Sequence, residues 1–301
     1  MKNKLFMAAV ACFAALNSTK AQVSISQDGN NYSLQSGKCT MIVAADKGGK
    51  VISLQCNQQE LIAQHKQKTP EIFFENPNDF GSTFWPSPQS TWNWPPIATY
   101  DSKSYTAKAD KKQLTLTSEK DSKYPYIFEK TYKPLGKGSY DITYTIRNAS
   151  NEPVKVAPWE ITRVPSGGFI YFDAPAIRPA TEMTYTSEMN WQWIQFIAKE
   201  RQNRKIFADA KGWLAFANDG LLFVKQFPDI TTTDAAPGEE EVEIYFNMGN
   251  TYTEIENQGA YITLQPNEQT TWTVRWTLQQ IDKKATKTEL KTATETILKN
   301  K

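Results

Sequence analysis

Two kinds of side chain in this sequence could act on a ligand: clustered tryptophans and a few glutamates. Trp85, Trp92 and Trp94 lie in the proline-rich segment 80–96. Proline fixes φ and removes a backbone donor, so this segment is predicted to be a stiff extended loop, neither a helix nor a central strand. Its aromatic faces suit the C–H surfaces of a sugar, and the amide of Gln89 suits a hydroxyl group. Alternatively, these indoles close the end of an apolar core, since a buried tryptophan is mainly packing area.

Three glutamates are candidates for proton transfer. Glu254 and Glu256 alternate along a predicted strand and should therefore point to the same side. Glu160 lies in a segment with aromatic and cationic neighbours. Proton transfer at a sugar needs two groups with different pKa values on either side of the reacting atom. Solvent-exposed structural charge is the alternative for each glutamate. The further residues that could line a ligand site with them are Trp159, Arg163 and Lys225.

Several other chemistries lack the residues they require. His65 is the only histidine, which excludes a site built from several histidines or from cysteine and histidine together. The glycine-rich nucleotide loops, the nucleophile elbow of hydrolases and the calcium loop of EF-hands do not occur. We therefore expect no cofactor and, from the ligand spacing, no metal site.

The first residues have the pattern of a secretory signal. Lys2 and Lys4 precede a short apolar run at 5–16, and cleavage before Gln22 would remove residues 1–21. Cys12 lacks the surroundings expected of a lipid-anchored cysteine, so no anchor is expected. No later run is long enough to cross a bilayer. The sequence therefore predicts a periplasmic or secreted protein without a membrane span.

Removal of this segment changes the charge balance. The full chain has 34 basic and 32 acidic residues. The removed segment contains three lysines and no acid, so 31 basic residues remain and the formal charge becomes −1. A nearly neutral surface does not favour nucleic acid or an anionic membrane as a partner. We expect a monomer whose partner is a carbohydrate.

Two cysteines, Cys39 and Cys56, remain after cleavage. If residues 46–49 form a turn, the cysteines face each other across a hairpin, as do Met41 and Leu54, and Val43 and Ile52. All of these side chains would lie on one apolar face. An oxidising compartment favours a disulfide between such cysteines. Two buried free thiols are the alternative.

Most of the remaining sequence alternates in the manner of short strands separated by turns. Such a series indicates an all-β antiparallel sandwich in one domain, residues 22–280. Residues 281–301 could form a short helix, and their many threonines favour a frayed, solvated tail. The predicted strands are 40–44, 51–55, 113–117, 126–132, 140–147, 154–164, 168–172, 213–217, 221–226, 242–246, 252–256, 261–264 and 271–278.

Several of these segments together resemble the DUF4380 family, secreted bacterial proteins placed in the galactose mutarotase-like superfamily. The resemblance covers most of the chain after the signal, and the tryptophan–proline stretch is its most specific part. It rests on residues 39–56, 81–89, 92–96, 157–160, 213–216, 222–225, 252–256, 259, 264–266 and 272–276.

The resemblance implies a β-supersandwich whose concave face binds carbohydrate. Aldose epimerases of that superfamily use a histidine and a glutamate, and the histidine usually follows a turn like 148–153 here. In this chain that turn leads instead to Ala157, Pro158, Trp159 and Glu160. Glu254 or Glu256 could match the glutamate, whereas the histidine is missing.

Three hypotheses follow. The first is a carbohydrate-recognising protein with a site lined by tryptophans and carboxylates. The second is a sugar-active enzyme, an epimerase or a glycan-processing activity, which uses Glu160 with Glu254 or Glu256. Arg163 or Lys225 would then be electrostatic partners. The third is a structural envelope protein, which predicts that Trp85, Trp92 and Trp94 are buried and that no cleft is open.

Overall fold

Two antiparallel sheets face each other in this protein. The computed structural model describes residues 23–64, 80–179, 185–195, 204–247 and 251–300. The predicted signal segment with Cys12, and the single histidine His65, lie outside these residues. Within them the chain is mostly strand, and the sheets contain twelve and ten strands. The predicted all-β antiparallel sandwich is confirmed.

The first sheet carries the site described below. Its strands are, in chain order, β1 (Val23–Asp28), β2 (Asn31–Ser36), β3 (Cys39–Ala44), β4 (Lys50–Cys56), β5 (Gln59–Glu60), β6 (Ser82–Ser87), β11 (Val154–Val164), β13 (Arg178–Pro179), β16 (Arg204–Ala208), β19 (Val242–Phe246), β20 (Thr253–Gln258) and β21 (Ile262–Leu264). They lie in the order β1-β2-β3-β4-β6-β11-β20-β19-β16-β13, with β5 beside β4 and β21 beside β11.

The second sheet covers the inner face of the first. Its strands are β7 (Thr106–Ala109), β8 (Leu114–Thr117), β9 (Tyr126–Gly136), β10 (Ser139–Asn148), β12 (Phe169–Phe172), β14 (Tyr185–Glu188), β15 (Trp191–Ile194), β17 (Trp213–Asn218), β18 (Leu221–Gln226) and β22 (Gln269–Gln280). They lie in the order β14-β15-β12-β17-β18-β22-β10-β9-β8-β7. Two α-helices, α1 (Ala98–Asp101) and α2 (Lys287–Lys299), complete the described fold.

The core lies between the sheets because strands of both bury every second side chain. β9 and β10 alternate buried and partly exposed residues along most of their length. Phe84 of β6 stacks on Tyr144 of β10, with ring centroids 4.1 Å apart, and meets Phe128 of β9 edge-on at 5.1 Å. These aromatic contacts connect the two sheets directly.

A fully buried ion pair lies in this core. Lys225 Nζ is 2.7 Å from Glu160 Oε1, and neither side chain is exposed to solvent. The same oxygen accepts from Trp276 Nε1 at 3.0 Å, and Tyr144 donates its hydroxyl to Glu160 Oε2 at 2.6 Å. Lys225 also donates to Thr162 Oγ1 at 3.1 Å. The pair is therefore hydrogen-bonded at both ends, which compensates part of its desolvation.

The proline-rich segment differs from its prediction, because β6 is an interior strand of the first sheet. The position of Pro86 explains the difference. β4 pairs with β6 only between Val51 and Ser82, so near Pro86 the ladder continues on the β11 side alone. There Pro86 lies opposite Pro158, so neither residue of the pair brings an N–H group. The segment after β6 leaves the sheet in a 3₁₀ turn, Gln89–Thr91.

The predicted hairpin of residues 39–56 is present with one change of register. Cys39 lies opposite Cys56 with Cα atoms 4.0 Å apart, and the structure joins the two by a disulfide. A β-bulge places Val43 opposite Val51, whereas the simple turn predicted Ile52. The extra residue of a bulge shifts the pairing by one position.

The C-terminal segment forms a helix that packs on the second sheet, whereas its threonine content favoured a frayed, solvated tail. Thr286 and Glu289 form a capping box at the start of α2. Leu290 and Ile297 are buried in a second apolar cluster on the outer face of the second sheet. Thr294 is buried too and hydrogen-bonds the hydroxyl of Tyr171 at 2.9 Å. No helix in the described ranges is long and apolar enough to cross a membrane.

Breaking the core ion pair should destabilise the fold. Glu160→Gln removes the carboxylate partner of the buried Lys225, so we expect the free energy of unfolding to fall by about 3 kcal/mol in urea titrations. The double variant Glu160→Gln with Lys225→Met removes both charges and should recover most of this loss. A single variant as stable as the parent would contradict the structural role of the pair.

Loss of the cross-strand bond between Cys39 and Cys56 should also lower stability. Replacing both cysteines by alanine removes a link across 17 residues of sequence. We expect the free energy of unfolding to fall by about 3 kcal/mol. Alkylation of the purified protein before and after reduction checks the bond itself. Two thiols that react without reductant would show free cysteines.

Candidate functional site

The outer face of the first sheet presents a row of aromatic and charged side chains. Cross-strand partners point to the same face, and five neighbouring strands contribute to it. Trp85 of β6 lies opposite Trp159 of β11. Further along, Arg163 of β11 lies opposite Glu254 of β20, and Glu256 lies opposite Glu243 of β19. The face continues to Tyr245 of β19 and Lys205 of β16.

These side chains surround an open cavity, which we call the cleft. Its volume is about 270 Å³, close to the lower end of the range for small-molecule sites. Aromatic, amide, acidic and basic groups all contribute. The cleft is lined by Trp85, Gln89, Trp94, Trp159, Lys205, Tyr245, Asn247, Tyr252, Glu254 and Glu256.

The tryptophans form a connected cluster at one side of the cleft. Trp85 is at its centre and meets Trp159 at 5.4 Å, Trp92 at 5.6 Å and Trp94 at 6.1 Å between ring centroids, each nearly perpendicular. Trp94 is 46% exposed, whereas Trp85 and Trp159 show only small edges. Trp92 lies behind them and donates its Nε1–H to Pro86 O at 2.8 Å. Trp92 therefore supports the cluster and does not line the cleft.

A buried aspartate fixes the central tryptophan. Asp101, at the end of α1, accepts from Trp85 Nε1 and from Thr83 Oγ1, both at 2.9 Å. Its other oxygen is 3.1 Å from Lys50 Nζ. Asp101 was not predicted at the site, because it follows the proline-rich segment in a short helix that has no periodic pattern.

Arg163 and Glu254 form an ion pair at the same side. Arg163 Nη2 is 2.9 Å from Glu254 Oε1, and the guanidinium is almost completely buried. It lies 5.6 Å from the centroid of the Trp85 ring and 5.8 Å from that of Tyr252, within the range of cation–π contacts. Arg163 thus orients Glu254 from below the cleft.

A second charge cluster joins Glu256, Lys205 and Glu243. Glu256 Oε2 accepts from Trp159 Nε1 at 2.9 Å and lies 3.4 Å from Lys205 Nζ. Lys205 also pairs with Glu243. Glu256 Oε1 is buried and makes no hydrogen bond. The lysine therefore bridges two carboxylates, and one oxygen of Glu256 keeps its acceptor capacity.

The pKa values of this cluster depart from their usual ranges. Burial raises the pKa of Glu256 to about 7, although the charge of Lys205 lowers it. Burial also raises the pKa of Glu243 well above its ordinary value. For Lys205, burial lowers the pKa, but the charges of Glu256 and Glu243 outweigh it and hold the pKa above its usual value. A carboxyl with a pKa near 7 can exchange a proton at neutral pH.

The structure separates the residues that the sequence placed at one site. Trp85, Gln89, Trp94, Trp159, Glu254 and Glu256 line the cleft, and Arg163 supports it. Glu160 and Lys225 do not reach it, because they form the core ion pair on the opposite face of the sheet. Glu160 follows Trp159 directly, and neighbouring residues of a strand point to opposite faces.

Lys205, Glu243 and Tyr245 line or border the cleft and were not predicted. β16 was not recognised as a strand, because residues 204–208 begin with two cations and end in three apolar residues and so lack the alternation of a strand. Glu243 and Tyr245 lie on the predicted strand 242–246, and the period of two already places them on one face. What the sequence could not supply was the pairing of β16 and β20 on either side of β19.

Comparison with solved structures shows the fold. A candidate aldose 1-epimerase from Klebsiella pneumoniae subsp. pneumoniae MGH 78578 superposes with a TM-score of 0.61 at 13% identity, over 91% of this chain and 85% of that one. A galactose mutarotase-like protein from Clostridium acetobutylicum superposes with a TM-score of 0.55 at 12% identity, over 87% and 99%.

A third similar structure is a candidate aldose 1-epimerase from Escherichia coli K12, with a TM-score of 0.54, 13% identity, and coverage of 83% and 99%. A search of curated proteins found no match. The family model described as "Domain of unknown function (DUF4380)" matches residues 30–279. The chain therefore belongs to the DUF4380 family and has a galactose mutarotase-like fold.

Proposed function

We propose that this protein recognises carbohydrate and that the cleft is its saccharide site. The observation that carries the proposal is Trp94, which is 46% exposed at a cleft that also contains Glu254 and Glu256. A half-exposed indole offers an apolar face to the C–H side of a sugar ring, and the carboxylates can accept from its hydroxyl groups. The galactose mutarotase-like fold supports the same class of ligand.

The charge balance of the cleft favours a neutral ligand. The carboxylates of Glu254 and Glu256 each face a cation, Arg163 and Lys205 respectively. Glu243 shares Lys205, so three carboxylates meet two cations, and burial raises the pKa values of Glu243 and Glu256 so that a proton offsets the excess negative charge near pH 7. A strongly anionic ligand would find no uncompensated cation there. Hydroxyl groups can still bond to the remaining lone pairs, and hydrogen bonds to charged groups are the stronger ones. We therefore favour uncharged saccharides.

The hypothesis of a structural envelope protein fits less well. It required Trp85, Trp92 and Trp94 to be buried and the surface to be closed. Trp94 is exposed, and the cleft is open. Secretion or export to the periplasm is part of our proposal, supported by the signal pattern and by a disulfide, which persists in oxidising compartments. Fractionation of the host cell tests this part.

Truncation of the exposed indole should weaken saccharide binding. Calorimetry with D-glucose, D-galactose and neutral disaccharides should detect binding to the parent protein, and Trp94→Ala should weaken it by at least ~10-fold. Tyr185→Ala is the matched control, since Tyr185 is an exposed aromatic residue outside the cleft. No binding by the parent to any of these sugars, or equal effects of both variants, would refute the saccharide site.

A second function, interconversion of sugar anomers, is favoured by one observation. Glu256 has a pKa of about 7 and an unpartnered buried oxygen in the cleft. These properties suit a general base. Lys205 beside it would be the charged partner, the role that the sequence indicated for Arg163 or Lys225. Of the predicted pair, Glu160 with Glu254 or Glu256, the enzyme hypothesis thus keeps Glu256 and replaces Glu160 by Lys205 as its partner.

If the protein is such an enzyme, its rate should depend on Glu256. Polarimetry with α-D-glucose and α-D-galactose should show a kcat/KM that falls as the pH drops through about 7, where Glu256 gains its proton. Glu256→Gln should lower the rate at least ~100-fold, whereas the exposed Glu119→Gln should not change it. No acceleration above the buffer rate would leave binding as the function of the cleft.

A further inference from the structure

A second acidic cluster lies away from the cleft lining. It contains Asp209, which follows β16, Asp229 in the connection between β18 and β19, and Glu241, which directly precedes β19. One carboxylate oxygen from each residue lies within 4.8 Å of the others. The three residues are separated in sequence, so their spacing gave no indication of a common site.

Two of the three carboxylates are held by one oxygen and leave the other without a partner. Glu241 is only 1% exposed. Its Oε1 accepts from Ile230 N at 2.9 Å, while its Oε2 is buried and makes no hydrogen bond. Asp209 repeats the pattern, because Oδ2 accepts from Thr232 Oγ1 at 3.2 Å and the buried Oδ1 has no partner. Buried oxygens of this kind are rare unless something absent from the protein chain binds them.

The negative charge of the cluster is not balanced by the described protein groups. Among the described residues, no lysine or arginine forms an ion pair with Asp209, Asp229 or Glu241. The nearby Arg178 pairs with Glu240 instead, at 3.6 Å. A buried carboxylate without a cation is strongly unfavourable.

The backbone around the cluster brings two of its loops into close contact. Gly212 has a φ of +69°, and a Cβ there would lie 2.7 Å from Phe227 O and 3.2 Å from Asp229 N. Phe227 N donates to Gly212 O at 2.8 Å. Only glycine fits this approach. The loop after Asp209 is thereby fixed against the loop that carries Asp229. The fold itself therefore sets the relative positions of the acidic side chains.

We propose that Asp209, Asp229 and Glu241 bind a calcium ion. All three offer carboxylate oxygens, the ligands of a hard cation. Calcium–oxygen distances of about 2.3–2.6 Å allow opposite ligands to be up to ~5 Å apart, which accommodates the observed separation. Thr232 and Ile230 donate to one oxygen of Asp209 and of Glu241 respectively and so orient these carboxylates. Groups behind a metal ligand commonly orient it in this way. Water would complete the coordination.

The ion would also hold in place the chain that contacts the proline-rich segment 80–96. Glu241 is the last residue of the connection between β18 and β19, and Glu239 lies two residues before Glu241. Glu239 Oε1 accepts from Gln89 N at 3.1 Å, at the 3₁₀ turn that follows β6. Calcium bound to Glu241 would therefore hold this connection in the position that contacts the cleft.

Calcium binding can be measured without knowledge of the saccharide. The purified protein is freed of metal with EGTA and titrated with CaCl₂ at pH 8 by calorimetry. We expect one ion per chain with a Kd on the order of 10⁻⁴ M, and a higher Tm in CaCl₂ than in EGTA. Glu241→Gln keeps an acceptor for Ile230 N but loses the charge. It should weaken calcium at least ~10-fold and should raise the Tm in EGTA.

Asp209→Asn should act in the same direction as Glu241→Gln. Asp219→Asn, an exposed carboxylate paired with Lys283, is the control and should keep the calcium response. No heat and no Tm shift with CaCl₂, or an undiminished shift in Glu241→Gln, would overturn the site. A response to MgCl₂ as strong as that to CaCl₂ would overturn the assignment of calcium.

Discussion

The two-residue repeat of an extended strand decides which charges of this protein can meet a ligand. On β11, Trp159 and Arg163 point to the cleft, whereas Glu160 points into the core and pairs with Lys225. A shift of one residue in the pairing of β11 would exchange these roles and leave a buried glutamate without its lysine. The core ion pair therefore fixes the register on which the arrangement of the cleft depends.

The carboxylates of Glu160 and Glu256 differ in how many of their oxygens have hydrogen-bond partners. Glu160 accepts from Lys225, Trp276 and a tyrosine hydroxyl, so both of its oxygens have partners and it serves the fold. Glu256 shares Lys205 with a second carboxylate and keeps one buried oxygen unpaired. Buried groups without partners are costly to the fold, and they are common at functional sites. The contrast explains why the chemistry is expected at Glu256.

The sequence predicted the fold class and the hairpin of the two cysteines, because these depend on local alternation and turns. Six residues of the cleft lining were predicted as well, mainly because aromatic, amide and acidic side chains are the types that suit a saccharide. The sequence could not predict that Pro86 lies in an interior strand, since that depends on how far β4 extends beside β6. Glu160 was predicted at the site because of its aromatic neighbours in sequence, without regard to the strand face on which each residue lies. Lys205 was missed because the pairing of distant strands is not a local property.

Binding of a saccharide in the cleft can be located directly from the indole N–H signals of the protein by NMR. Titration with D-galactose and neutral disaccharides should shift the signals of Trp85 and Trp159, whose N–H groups bond to Asp101 and Glu256 beside the cleft. The signal of Trp193, beneath the C-terminal helix, should stay unchanged. Shifts at Trp193 without shifts at Trp85 and Trp159 would contradict a saccharide site on this face.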